Sequence, residues 1–151
     1  MVHVEAPRPP EANIPVFYNI ESPVGRGCPN SLEDVLLVQF LLKSLAAHMT
    51  TPQGREIQPI LRATPQNGVI SPSYSSTDPT VESIEAYQRA MGIPVDGRVS
   101  PARGYFHSGG TIYTIISLNA TVRGDYTRVW PRLDQIPNCP GGLQQILQRV
   151  V

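Results

Sequence analysis

The chain has 151 residues, 40% of them apolar and 16% charged, with 16 prolines, which suits one loop-rich domain with extensions and leaves little room for two. Its formal net charge is zero and its basic residues, Lys43 and the arginines, are scattered; nucleic acid is therefore not expected as a partner, because neutralising phosphates calls for a basic surplus. The longest apolar run, residues 35–42, is interrupted by Gln39 and is too short to span a bilayer.

Residues 1–29 read as an extended arm. Pro7, Pro9, Pro10, Pro15, Pro23 and Pro29 deny it helix. The stretch Ile14-Pro15-Val16-Phe17-Tyr18 carries enough apolar surface to dock on its own domain or on a neighbouring subunit. The first ten residues hold no apolar run, so no signal peptide is expected. The chain is expected to be made in the cytoplasm.

The first helix is predicted from a cap at Asn30 or Ser31 to about His48, with Glu33 and Asp34 in its first turn. Leu32, Val35, Leu36, Leu37, Val38, Phe40, Leu41, Leu42 and Leu45 make it apolar nearly all round, the pattern of a central, covered helix. Residues 50–79 read as irregular, with Asn67-Gly68-Val69-Ile70 forming a turn and a short extended piece. A second helix starts at Asp78 as cap and Pro79 as first helical residue. It places Val81, Ile84, Tyr87, Gln88 and Met91 on one face and stops at Gly92. Val95-Asp96-Gly97-Arg98-Val99 is a second turn-and-strand element. Residues 111–122 suit strand by β-branching and helix by the spacing of Ile112, Ile115, Ile116, Asn119 and Ala120. Leu143, Ile146, Leu147 and Val150 describe a short amphipathic helix, which needs a surface to pack on.

Cys28 and Cys139 each precede a proline. A disulfide between them would join the start of the core to the tail and close a long loop. Two reduced, partly buried thiols are the preferred reading.

The order of these elements, with Asp34-Val35-Leu36-Leu37-Val38-Gln39, Asn67-Gly68-Val69-Ile70-Ser71-Pro72, Tyr87-Gln88, Met91-Gly92-Ile93 and Val95-Asp96-Gly97-Arg98-Val99-Ser100-Pro101, resembles the peptidoglycan-binding-like domain of bacterial and phage cell-wall proteins. The resemblance spans roughly residues 30–120. Asn67 stands where the family usually has Asp, Ser71 and Ser100 stand where it usually has Gly, and the loop before the second helix is longer than typical. The resemblance implies a mainly α fold. A compact three-helix bundle with short turn and strand elements would occupy residues 30–123, with residues 111–122 as its third helix. The arm (1–29) and a C-terminal extension (124–151) with its short helix would flank it. It also makes Asn67, Gly68, Tyr87, Gln88, Gly92, Asp96 and Gly97 fold-making residues rather than ligand contacts.

No catalytic constellation is evident. His3, His48 and His107 are far apart and lack paired metal-ligand spacing, and no Gly-x-Ser-x-Gly elbow occurs. Gly25-Arg26-Gly27 is too short for a phosphate loop and reads as a turn. Cys28 near a helix start could be an activated nucleophile, but a structural thiol is the stronger reading. Glu82 and Glu85 are placed on a solvated helix face. Candidate ligand or interface residues are Tyr74, Arg98, Arg103, Tyr105 and Tyr113, since exposed Tyr and Arg mark both grooves and protein interfaces. The function expected is a non-catalytic peptidoglycan-binding-like module without metal or cofactor, working in a multi-subunit assembly. A phage virion (tail or capsid) component leads. A stand-alone cell-wall binder is the alternative, with a secretion-apparatus subunit or a cell-wall hydrolase behind it. Protein partners would be met through the arm and the C-terminal helix, peptidoglycan is a further candidate ligand, and a virion or other particle is the expected final location.

Overall fold

The computed structural model describes residues 1–6, 16–71, 78–103, 107–108 and 111–150. The fold is mainly α. In chain order it comprises β1 (His3–Glu5), β2 (Phe17–Asn19), β3 (Val24–Gly25), α1 (Leu32–Leu45) with a 3₁₀ turn at Ala46–His48, α2 (Pro52–Arg62), α3 (Pro79–Ala90), β4 (Arg98–Val99), β5 (His107–Ser108), β6 (Thr111–Ile112), α4 (Thr114–Asp125), a 3₁₀ turn at Leu133–Gln135 and α5 (Gly141–Val150).

The central helix is α1, packed by α2, α3, α4 and α5. Val35, Leu37, Val38, Leu41, Leu42 and Leu45 are fully buried, each stabilising the fold by about 1.5–3 kcal/mol. Its start differs from expectation. Ser31 is the N-cap but makes no side-chain cap bond, and Asn30, at φ 53°, turns its amide to the Gly25 N–H (2.7 Å) and C=O (3.1 Å) instead. Asp34 is buried and accepts the Glu21 and Ser22 N–H groups at 3.3 and 3.1 Å. Leu32, at the first helical position, is exposed.

α3 is bounded as its sequence predicts. Asp78 Oδ1 accepts the Thr80 and Val81 N–H groups at 2.9 and 3.2 Å. At the other end Gly92, at φ 69°, donates to the Arg89 carbonyl (3.3 Å) and Ile93 to the Gln88 carbonyl (2.9 Å), a Schellman closure. Met91 lies past the last helical turn and is exposed, so it does not join the buried face assigned to it. Glu85 is likewise not on a solvated face: it is half-buried and pairs with Arg26.

The span expected to be irregular contains α2. Thr51 caps it, accepting the Gly54 N–H at 3.0 Å, and Pro52 opens it. Pro59 sits inside the helix on its exposed side, and among the apolar positions only Leu61 is fully covered. Residues 111–122 resolve into both readings: Thr111–Ile112 is strand and α4 begins at Thr114.

The described part of the arm docks on its own domain. β1 and β2 pair antiparallel, His3 opposite Asn19 and Glu5 opposite Phe17, and Val2, Phe17, Tyr18 and Ile20 are buried. Asn119 of α4 acts as a further strand partner, accepting the Tyr18 N–H (2.7 Å) and donating to its carbonyl (2.9 Å). At the other terminus α5 turns Leu143, Ile146 and Leu147 into the core, and Arg149 reaches Glu33 at 3.3 Å. The apolar side chains described in the arm and in α5 are therefore used within this chain. No helix among the described residues is long and apolar enough to cross a membrane.

Candidate functional site

Two turns in the molecule are built by the same device. In the first, the fully buried Gln39 of α1 accepts the Asn67 and Gly68 N–H groups on Oε1 (3.1 and 2.8 Å). Its Nε2 faces Asn67 Oδ1 (3.1 Å), the Val69 carbonyl (3.4 Å) and Thr80 Oγ1 of α3 (3.0 Å). In the second, Gln88 of α3 accepts the Asp96 and Gly97 N–H groups (3.2 and 3.1 Å). Its Nε2 faces Asp96 Oδ1 (2.9 Å), the Arg98 carbonyl (2.9 Å) and Thr114 Oγ1 of α4 (3.1 Å). Each glutamine thus ties its own helix, a turn and the start of a later helix together, satisfying buried backbone groups that would otherwise destabilise the fold. Gly68 and Gly97 have φ of 73° and 70°, a backbone region open to glycine at little cost.

A groove of 310 Å³ opens over the second turn. Gln88, Asp96 and Thr114 line its base, Ile93, Pro94 and Ile112 supply apolar wall, and Arg98, Ser100, Thr111 and Tyr113 supply polar groups. A neighbouring depression shares Ile93, Pro94, Thr111 and Ile112 and adds Arg89, Met91 and Val95; Met91 and Val95 are exposed. The Arg98 guanidinium forms no hydrogen bond or ion pair with a described residue. Gln88 is fully committed to the turn, whereas Asp96 is held there through Oδ1 alone, so Asp96 Oδ2, Arg98, Ser100, Thr111 and Tyr113 are among the groups left to meet a polar ligand.

Of the candidate ligand residues, Arg98 and Tyr113 meet in this groove. Arg103 is exposed and is not among its lining residues. Tyr74 and Tyr105 lie outside the described residues. Thr111 and Thr114 carry no mark in the sequence, since a threonine at a helix start beside a turn motif is too common to flag a site, and Ser100 stands out there only as a departure from the family pattern. Tyr87 is core, its hydroxyl 2.7 Å from Ser117 Oγ and 3.1 Å from Thr121 Oγ1. Burial pushes that phenol above its ordinary range, against the pull of both hydroxyls.

Cys28 and Cys139 stand as separate thiols, one half-buried and one buried. Burial raises the Cys28 thiol, the Arg98 charge offsetting it only in part, and pushes Cys139 up to about 11. Neither has the depressed pKa of an activated nucleophile. Among the described residues no group of His, Cys, Asp and Glu could hold a metal ion.

The chain matches no family model, no curated protein and no solved structure.

Proposed function

We propose that this protein is a non-catalytic peptidoglycan-binding-like module, and that the groove over the second turn is its ligand face. The observation that carries the reading is the Gln88-Asp96-Gly97 turn: the residues that bear the family resemblance are the ones that build the base of the groove, and they leave Arg98 and Tyr113 beside it. A shallow site with apolar wall and uncommitted hydroxyl and guanidinium groups suits a polar, amide- and hydroxyl-rich ligand such as a wall glycan or its stem peptide. The module works as part of a larger assembly, a phage virion being our choice. Exposed Met91 and Val95 at the rim, with 48% and 45% of their surface open, favour a protein contact on the same face. A stand-alone wall binder is the alternative.

Co-sedimentation with insoluble peptidoglycan sacculi, with light scattering on the same sample, tests this. Saturable pelleting that Arg98→Ala and Tyr113→Ala each weaken by about tenfold would support wall binding at this groove. Pelleting that neither substitution changes would remove the groove from the reading. No pelleting, with the same face engaged in self-association, would leave the assembly role and discard the wall ligand.

A further inference from the structure

A separate cavity of 620 Å³ shares no lining residue with the groove. It opens between the C-terminal ends of α1 and α2, Tyr126 after α4, and the link that enters α5. Two of these walls, α2 and residues 137–140, come from segments outside the stretches that carry the family resemblance. Its volume falls within the range of small-molecule sites.

Its charge is one-sided. Lys43, the only lysine in the sequence, lines it together with Arg62 and His48, and no described lining residue is acidic. Neither Lys43 nor Arg62 forms an ion pair with a described residue; Lys43 Nζ donates to the Thr64 carbonyl at 3.1 Å. His48 has a nearby carboxylate in Asp125, which burial raises and the His48 charge lowers in pKa. The C-terminal ends of α1 and α2 each carry about half a negative charge. Together they offset about one of the two positive charges on Lys43 and Arg62, while Asp125, which does not line the cavity, is set against His48. Ser44, Gln66 and Asn138 add polar groups, Gln66 Oε1 being buried without a partner among the described residues, and the remaining wall is apolar or aromatic. Phe40 is 4% exposed, Tyr126 lies edge-on to His48 with ring centres 4.8 Å apart and gives its hydroxyl to the Ser44 carbonyl at 3.0 Å, and Pro137 and Pro140 complete the wall.

We propose that this cavity binds a monoanionic hydrophobic carboxylate, its carboxylate at Lys43 and Arg62 and its aliphatic or aromatic body against Phe40, Tyr126 and Pro137. Two sources share that chemistry: a free hydrophobic acid, and the terminal carboxylate of a peptide ending in an apolar residue. The site goes beyond the wall-binding reading and stands without it.

Titration calorimetry on the full chain separates the outcomes, with octanoate and octanamide as one pair of probes and N-acetyl-leucyl-leucine and its amide as the other. At least one acid should bind, its neutral amide at least about tenfold more weakly, and Lys43→Met and Arg62→Met should each weaken the acid by a similar factor. Tighter binding of octanoate assigns the site to a free acid, and tighter binding of the peptide acid assigns it to a chain terminus. The acid-against-amide comparison needs no variant, so it holds even where a substitution disturbs the fold. Equal binding of acid and amide, indifference to both substitutions in folded variants, or no binding of either acid at millimolar concentration would overturn the proposal.

Discussion

The two glutamine-held turns share a hydrogen-bond plan and differ in what covers them. Leu32 and Leu36 precede Gln39 by seven and three residues, as Val81 and Glu85 precede Gln88. A Cβ on Gly68 would meet Leu32 and Leu36, whereas one on Gly97 would meet Glu85, Val81 and Arg26. At the first turn the cover is aliphatic and belongs to the same helix. At the second, one leucine position is the carboxylate Glu85, which draws in Arg26 of the arm. The arm then pairs β3 with β4, Val24 opposite Val99, and the Arg26 backbone N–H donates to the Gly97 carbonyl at 3.1 Å. One substitution in an otherwise equivalent frame thus recruits a distant segment, and the turn so braced is the one that fronts the polar groove. The buried amide sets the turn, while the residue three positions before it sets the turn's neighbours.

The largest expected effect tests the shared plan. Gln39→Ala and Gln88→Ala should each cost about 3 kcal/mol in chemical denaturation, because each strips partners from buried backbone groups and leaves a void. A difference above about 2 kcal/mol between them would break the equivalence of the two turns. Next come the glycines. Gly68→Ala should cost about 2 kcal/mol, left-handed strain plus displacement of Leu32, and Gly97→Ala about 1 kcal/mol, where mainly the strain remains. A reversed order would show that Glu85 yields less readily than Leu32.

Glu85→Leu makes the second turn resemble the first. Overall stability should change by less than about 1 kcal/mol, as for a half-buried ion pair, while the Arg26 and Val99 amides exchange faster with solvent. Unchanged exchange would show that strand pairing holds the arm without the ion pair. The smallest effect concerns the beginning of the arm. Partial burial pulls the His3 pKa down, but its bonds to the Met1 carbonyl and Glu5, with the Glu5 and Glu21 charges, outweigh this and leave it raised. A raised folded-state pKa means that the contribution of protonated His3 is complete below its ordinary value of 6.5 and is lost as pH rises through the folded value. Melting temperature should fall slightly over that window in the parent protein and not in His3→Gln; the same fall in both would assign the linkage elsewhere.

Much of this was legible before folding. The Asp78-Pro79 start and Gly92 stop of α3 are local chemistry, and the apolar surround of α1 announces a central helix. The helix α2 was not legible: Pro59 reads as a breaker, and Ile57, Ile60 and Leu61 cover too short a stretch to establish a period. It forms because a capped first turn and packing against α3 outweigh its weak propensity. The pairing of the two turns was hidden for a related reason. Gln39 and Asn67 are 28 residues apart and Gln88 and Asp96 only eight, because α2 lies inside the first interval. Arg98 and Tyr113 could be named as candidates from residue type, but their meeting in one groove, and the gathering of Lys43, His48 and Arg62 around a cavity, depend on contacts between segments far apart in the chain.

The start and stop of α3, the glycines of the two turns and the apolar surround of α1 can be read from the residues alone, since these depend on neighbours within a few positions. It took long-range packing to show that two buried glutamines do the same work, that the described part of the arm and α5 close on their own core, and that α2 and residues 137–140 wall a cavity beside Lys43. These depend on which distant surfaces exclude water from one another, and no local pattern of residues carries that information.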